Sequence, residues 1–248
     1  MIALFRKKAS PPWVSAVVAA AGSSSRMEGI DKQCAAIDHT PVVARSIQAL
    51  MACGLIREIV LVCPHGRIPE YYDIIRDYSL DLVSVVVGGG DTRQASVFAG
   101  VDACSEQARY FAIHDGARPL VTPEEIETCI EAAIQHGAAA LGVRPKDTIK
   151  RAGKDGYIAA TLERNELVAI QTPQVFEAGL YRQAMALAVR ENKDFSDDCQ
   201  LIERLGKKVY IAPGQYENIK ITTPHDLAIA QAVLQLREEG AGYPLALD

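Results

Sequence analysis

Short apolar runs alternate with stretches of helical periodicity along most of the chain. Five runs have the composition of buried strands. They cover residues 14–20, 58–63, 82–87, 109–114 and 138–143. Between the first two runs, Val43, Ile47 and Leu50 recur at the spacing of one helical face. The segments 122–134 and 223–234 are also expected to be helical.

Threonine–proline pairs mark where these three helices are expected to begin. Thr40, Thr122 and Thr223 suit the N-cap position, and the proline that follows each of them suits the first helical residue. Glu125 lies three residues after Thr122, which is the spacing of a capping box.

Strand–helix alternation with nearly continuous apolar strands is typical of a mostly parallel sheet that is covered by helices on both faces. We therefore predict a doubly wound α/β fold of the Rossmann-like type. No repeat, low-complexity tract or linker divides the chain, so residues 1–248 are expected to form a single domain.

One segment, residues 146–165, departs from this pattern. It has no helical apolar face, it carries charges throughout, and it centres on the turn-forming sequence GKDG. These features predict a β-hairpin that is too polar to lie inside the main sheet. Two interpretations remain open: a solvated surface hairpin, or an arm that packs on a second copy of the protein.

Composition and charge restrict the possible classes of protein. Of the 248 residues, 49% are hydrophobic and 23% are charged, as in a soluble globular protein. The apolar runs are far shorter than the roughly 18 residues that span a bilayer, and no secretion signal is recognisable, so we expect a cytoplasmic protein without a membrane partner. The net charge of −5 argues against nucleic-acid binding. The six cysteines lack metal-ligand spacing and are expected to be reduced core residues.

Basic residues cluster in the segments that follow the predicted strands. Ligands of open parallel sheets bind where the strands end, so these segments are expected to meet at one edge. Six cations there, on an acidic chain, predict a polyanionic ligand, most simply one that carries phosphates. They are Arg26, Lys32, Arg93, Arg118, Arg164 and Lys220.

The loop "AAAGSSSRM" at 19–27 follows the first predicted strand. Its glycine and serines can cradle a triphosphate through backbone N–H groups. The dinucleotide fingerprint G-x-G-x-x-G and the Walker pattern are both absent from the chain, which argues against a nicotinamide oxidoreductase.

The sequence "HDGARP" at 114–119 carries a carboxylate at the end of a strand and an arginine three residues later. Asp115 suits a magnesium ligand and Arg118 suits a phosphate clamp. In the alternative interpretation, Asp115 caps a following turn. His114 could act as a general base, but a histidine that ends a buried strand is more often a hydrogen-bonded core residue.

Several further motifs occur in a fixed order along residues 14–236. They are "DKQ", "GGGDTRQASV", "KDTIKR", "LERN", "QTPQVF", "SDD" and "ENIKIT". Together with the two loops above, they resemble the ordered motifs of the 2-C-methyl-D-erythritol 4-phosphate cytidylyltransferase family, within the sugar-nucleotide transferases. The chain departs from the family pattern at Gly116, which is usually alanine, at Ser196, usually threonine, and at Glu217, commonly aspartate.

The resemblance implies that CTP and methylerythritol phosphate react to give the cytidine diphospho-alcohol and pyrophosphate, with Mg²⁺ on Asp115. It implies catalytic roles for Arg26, Lys32, Arg164 and Lys220. It implies nucleotide-binding roles for Ala20, Ala21, Gly22, Gly89, Asp91 and Ser96. It implies substrate-binding roles for Arg118, Thr148, Thr172 and Ser196. It also implies a homodimer in which the hairpin arm crosses to the second subunit.

The expected chemistry is consistent with the residues. The attacking phosphate oxygen is already mostly ionised near neutral pH, because the second pKa of such a phosphate is about 6. Positioning and charge neutralisation are needed rather than a general base. Two rivals remain: a cytidylyltransferase for ribitol 5-phosphate or another polyol phosphate, and a non-catalytic nucleotide-binding protein.

Overall fold

The computed structural model describes residues 11–22 and 32–240. The strands are β1 (Val14–Ala19), β2 (Ala36–Ile37), β3 (Thr40–Pro41), β4 (Ile56–Cys63), β5 (Val83–Gly88), β6 (Tyr110–Asp115), β7 (Ala138–Val143), β8 (Lys150–Ala152), β9 (Ile158–Thr161), β10 (Ala169–Glu177) and β11 (Tyr210–Pro213). The α-helices are α1 (Val42–Ala52), α2 (Ile68–Asp77), α3 (Arg93–Asp102), α4 (Pro123–His136), α5 (Ala178–Glu191), α6 (Asp198–Arg204) and α7 (Pro224–Glu238).

Seven strands form the central sheet in the order β11-β7-β10-β6-β1-β4-β5. All neighbouring pairs are parallel except those of β10, which runs antiparallel to both β6 and β7. The prediction of a mostly parallel α/β sheet is therefore confirmed, and each of the five predicted strands is present.

Strand β10 was not predicted, because Pro173 lies inside it. Proline cannot donate to a strand ladder and is uncommon in a central strand. Here the pairing of β10 with β7 shifts in register between Ile170 and Gln174, on either side of the cis peptide bond between Thr172 and Pro173. The interruption falls where Thr172 faces the end of β6.

Helices cover both faces of the sheet, as predicted. On one face, α1, α2 and α4 pack on the strands, and Ile47 joins Val18 in the core. On the other face, α3, α5 and α6 pack on the strands, and Val101 joins Val17. Adjacent residues of β1 belong to opposite cores because successive side chains of a strand point to opposite faces.

The three predicted helix starts differ in outcome. The side chain of Thr122 accepts from the N–H of Glu125, whose carboxylate accepts from the N–H of Thr122, so the capping box is confirmed. Helix α7 follows Thr223 as predicted. The prediction for Thr40 is wrong: Pro41 is the N-cap of α1, because both residues are held extended in β3 by antiparallel pairing with β2.

The predicted hairpin is present and lies outside the central sheet. Strands β8 and β9 form a separate antiparallel pair, with Gly156 at a φ of 84° in the turn. Tyr157 and Ile158 next to this turn are 76% and 68% exposed. Its role in dimerisation stays a prediction.

Two expectations from composition concern membranes and cysteines. Within the described residues, no helix combines the length and the apolar character that crossing a membrane requires. All six cysteines are free thiols, five of them buried, with Cys34 half-buried.

The packing of α3 on the sheet predicts the effect of one substitution. A Cβ atom at Gly100 would lie 2.5 Å from Cγ1 of Val17 and 2.7 Å from Cγ2 of Val62, both buried. We expect Gly100→Ala to lower the free energy of unfolding in urea by about 1–2 kcal/mol, although alanine is the better helix former.

The matched control is Gly54→Ala, since a Cβ there meets nothing within 4 Å. It should leave the free energy of unfolding unchanged or slightly raised. Equal stability of the Gly100→Ala variant and the unmodified protein would contradict the close contact between α3 and the sheet.

Candidate functional site

The carboxyl ends of β1, β5 and β6 surround the larger of two adjoining cavities. The larger, of about 440 Å³, opens between the residues after β1 and the first turn of α3. The smaller, of about 160 Å³, lies between β6, β10 and the start of α6. Arg93, Asp115 and Lys220 line both cavities, so these three side chains form the boundary between them.

Asp115 is the last residue of β6 and is almost completely buried. Its Oδ2 lies 2.7 Å from Nζ of Lys220 and 3.9 Å from Nε of Arg118. Its Oδ1 lies 3.2 Å from Nε of Arg93. Burial alone would raise the pKa of Asp115, but the three cations hold that pKa well below its usual range. The carboxylate is therefore ionised at neutral pH.

A second buried carboxylate, Asp198, shares Arg93 with Asp115. Nη1 of Arg93 lies 2.7 Å from Oδ2 of Asp198, and the hydroxyl of Tyr181 donates to Oδ1 at 2.6 Å. The backbone N–H of Asp198 donates to Oε1 of Gln174. The sequence predicted Arg93 only as one of six cations near a polyanionic ligand. It indicated Asp198 only as part of the motif SDD. The pairing joins residues that are 105 positions apart, so no local signal indicates it.

The predicted nucleotide-binding residues divide into two groups. Ala21, Gly22, Asp91 and Ser96 line the larger cavity, together with Lys32. Ala20 and Gly89 do not line it, and Gly90 does.

Ala20 and Gly89 instead support the wall of the cavity. Ala20 is buried, and its N–H donates to the carbonyl of Val62. A Cβ at Gly89 would collide with the side chains of Ala21 and Ser96. Glycine is therefore required at residue 89 because two neighbouring segments lie against its backbone.

Below Asp115, a buried hydrogen-bonded chain fixes the end of β6. The N–H of Asp115 donates to Oγ1 of Thr172 at 3.0 Å. Nε2 of His114 donates to the carbonyl of Arg118, since a carbonyl can only accept. Burial lowers the pKa of His114 to about 4, so the ring is neutral and Nδ1 accepts from the Thr172 hydroxyl. His114 is therefore a hydrogen-bonded core residue, as the sequence favoured over a general base.

The alternative interpretation of Asp115 as a turn cap is not supported. The turn after β6 is closed by the N–H of Arg118, which donates to the backbone carbonyl of Asp115. The carboxylate itself contacts the cations. Arg118 also donates from Nη1 to the carbonyl of Asn218, which ties this turn to the segment that carries Lys220.

Five of the predicted substrate-binding and catalytic residues lie in three different places. Thr172 and Ser196 line the smaller cavity, as does Arg118. Arg164 lines a third cavity of about 500 Å³ at the base of the hairpin, where its Nη1 donates to the carbonyl of Lys146. Thr148 is exposed on the segment that leads into β8. Arg26 lies outside the described residues.

Asp115 is the carboxylate at this site that could hold Mg²⁺. Among the described residues, no group of three or more histidine, cysteine, aspartate or glutamate side chains is placed to hold a metal ion. Mg²⁺ is commonly held by one or two carboxylates together with substrate phosphates. A single ionised carboxylate at the boundary of two cavities fits that requirement.

Comparison with known proteins places the chain within one family. The family model described as 2-C-methyl-D-erythritol 4-phosphate cytidylyltransferase matches residues 14–236. A protein of that name from Pelotomaculum thermopropionicum is 40% identical over 91% of this chain and 95% of its own length. One from Caldanaerobacter subterraneus subsp. tengcongensis is 43% identical over 90% and 99%.

Solved structures agree with these relatives. The crystal structure of a 4-diphosphocytidyl-2C-methyl-D-erythritol synthase from Anaerococcus prevotii superposes with a TM-score of 0.80 at 30% identity, covering 91% of this chain and 99% of that one. The Thermus thermophilus 2-C-methyl-D-erythritol 4-phosphate cytidylyltransferase superposes with a TM-score of 0.76 at 30% identity, covering 90% and 99%.

The buried neutral state of His114 predicts how stability depends on pH. The pKa of this ring is about 4 in the folded protein and 6.5 as its ordinary value. Between these pH values the unfolded chain binds a proton that the folded protein does not. The contribution of His114 to stability is therefore fully present above pH 6.5 and is lost as the pH falls to 4.

We expect this loss to be about 3 kcal/mol in the free energy of unfolding. Urea unfolding at several pH values measures it, and His114→Asn should flatten the slope between pH 6.5 and 4. An unchanged slope in that variant would show that other groups cause the pH dependence.

Proposed function

The chain belongs to the 2-C-methyl-D-erythritol 4-phosphate cytidylyltransferase family, and we propose that its two substrates meet at Asp115 and the cations around it. The enzyme is a nucleotidyltransferase that converts CTP and 2-C-methyl-D-erythritol 4-phosphate to 4-diphosphocytidyl-2-C-methyl-D-erythritol and pyrophosphate, in isoprenoid precursor biosynthesis. The observation that carries our proposal is the shared boundary of the two cavities, where Arg93, Asp115 and Lys220 lie.

The larger cavity is proposed to take CTP and the smaller cavity the polyol phosphate. A phosphate oxygen of the polyol phosphate attacks the α-phosphorus of CTP. One P–O bond forms, the bond to the bridging oxygen of the β-phosphate breaks, and pyrophosphate leaves. The attacking oxygen is already mostly ionised near neutral pH, so no side chain has to accept its proton. This is consistent with a neutral, buried His114.

Charge neutralisation at the α-phosphorus is the main task of the side chains. Lys220 lies between the two cavities and can bind the phosphate of either substrate once its ammonium group leaves Asp115. Lys32 lines the larger cavity and is proposed to bind the triphosphate. Arg26, which lies outside the described residues, is proposed to act with it. Arg118 and Ser196 are proposed to hold the polyol phosphate in the smaller cavity. Thr172, whose hydroxyl proton is donated to His114, is proposed to shape the wall of that cavity rather than to bind the phosphate.

Asp115 is the proposed ligand of Mg²⁺. A divalent cation held there would neutralise charge on the triphosphate of CTP. Both oxygens of Asp115 contact cationic side chains, so a metal ion held there would share these oxygens with Lys220 and Arg93 or displace one of the two. The surrounding positive charge keeps the carboxylate ionised and thus able to bind the metal.

Arg164 and Thr148 are proposed to act in the site of a second subunit. Both belong to the hairpin region, and neither lines the two adjoining cavities of its own chain. The exposed Tyr157 and Ile158 near the hairpin turn offer apolar area for a contact with another copy. A twofold homodimer would place each hairpin on the other subunit in the same way. The cytoplasmic location expected from the sequence stays a prediction.

Replacement of Lys220 tests its proposed role. Lys220→Met removes the ammonium group and keeps the aliphatic length of the side chain. We expect kcat for pyrophosphate release to fall by roughly 10²–10³, as for loss of one preorganised donor. CTP binding measured by calorimetry should change much less. Lys208→Met, next to the edge strand β11, is the control and should keep full turnover.

The same assay distinguishes the substrates when methylerythritol phosphate and ribitol 5-phosphate are offered in parallel. Release with methylerythritol phosphate alone is expected. Release with ribitol 5-phosphate alone would contradict methylerythritol phosphate as the substrate. Full turnover by the Lys220→Met variant would contradict the proposed role of Lys220.

Mixing two inactive variants tests whether the site is shared between subunits. Arg164→Ala and Lys220→Met should each reduce turnover strongly. If each site takes Arg164 from one chain and Lys220 from the other, unfolding and refolding the two variants together creates heterodimers with one intact site. About a quarter of the original activity should then return.

If both residues act within one chain, no heterodimer has an intact site and activity stays low. Light scattering of the unmodified protein gives an independent result, since a fully active monomer of about 27 kDa would also contradict the shared site.

A further inference from the structure

Three consecutive residues at the start of α3 contact the segment 193–198. Oγ1 of Thr92 donates to Oδ1 of Asp194 at 2.9 Å. Nη1 of Arg93 donates to Oδ2 of Asp198 at 2.7 Å. The third residue, Gln94, bonds to the backbone of the same segment. The first turn of α3 therefore lies against both the larger cavity and the loop beside the smaller one.

The side-chain amide of Gln94 holds two peptide groups at once. Its Nε2 donates to the carbonyl of Lys193 at 2.9 Å, and its Oε1 accepts from the N–H of Phe195 at 3.0 Å. Both bonds involve the backbone, so the side chain of Lys193 takes no part in them. The amide thus fixes the backbone on either side of Asp194, because it donates to one peptide group and accepts from the other.

Ser196 follows directly after the backbone that Gln94 holds, and it lines the smaller cavity. Its Oγ accepts from Nε2 of Gln200 at 2.6 Å, and Asp197 caps α6 by accepting from the N–H of Gln200. These contacts orient Ser196 toward α6, whereas Gln94 restrains the chain on its other side. Gln94 itself lines neither cavity.

We propose that Gln94 is a positioning residue for the polyol phosphate. Its neighbours Thr92 and Arg93 in the first turn of α3 line the larger cavity. Gln94 itself acts through the backbone of 193–195 on Ser196 and on the shape of the smaller cavity. The inference rests on the proposed function, in which Ser196 contacts the polyol phosphate. Replacing Gln94 therefore affects binding of the polyol phosphate and not binding of CTP.

The test is steady-state kinetics of Gln94→Met, which keeps the length of the side chain and removes both hydrogen bonds. We expect KM for methylerythritol phosphate to rise about five- to twentyfold, the effect of losing one or two such bonds. KM for CTP and kcat should stay within about twofold of the unmodified values. Lys193→Ala is the matched control and should change none of the three, because it keeps the carbonyl that Gln94 contacts.

Ser196→Ala and the double variant distinguish the inference from the proposed function. If Gln94 acts through Ser196, both single variants raise KM for the polyol phosphate, and the double variant resembles the more severe of them. A rise in the Ser196→Ala variant alone overturns the role of Gln94 and leaves the substrate contact intact. A rise in the Gln94→Met variant alone, or in neither, overturns the contact of Ser196 and the inference with it. If Gln94→Met raised both KM values and lowered kcat by similar factors, the substitution would have disrupted the site as a whole. That result would also overturn the inference.

Discussion

The buried negative charge at the end of β6 is the constraint on which the rest of the site depends. An ionised carboxylate removed from water is strongly unfavourable unless cations are held beside it. Asp115 obtains them from three separate parts of the chain: the start of α3, the turn after β6, and the segment before α7. Pairing this single charge therefore brings together three loops that are far apart in sequence.

In the proposed reaction, the substrates need the same cations. Transfer of a cytidylyl group develops negative charge around the α-phosphorus, and fixed positive charge is the main stabilising factor available. Arg93, Arg118 and Lys220 all lie beside Asp115 and together lower the pKa of its carboxyl group. Asp115 thus keeps the cations close together, and in the proposed reaction Lys220 exchanges its contact with this carboxylate for one with a substrate phosphate.

The two halves of the site are joined at the first turn of α3. Arg93 connects Asp115 to Asp198, and through Asp198 to Tyr181 of α5. Its neighbours contact the backbone and side chains of 193–195. On our proposal, Gln94 in this turn therefore affects binding of the polyol phosphate, although its neighbours line the cavity proposed for CTP.

The sequence by itself determined the α/β class, five strands of the sheet, the polar hairpin and the strand-end loops that carry the charges. These follow from periodicity, turn residues and local composition, which are properties of short segments. Tertiary structure alone decided the antiparallel strand β10, since Pro173 conceals it, and the extended state of Thr40, which depends on pairing with β2. It also decided the pairing of Arg93 with Asp198 and the location of Arg164 away from Asp115. Contacts between residues a hundred positions apart arise from how elements pack, and a single sequence carries no local signal of that packing.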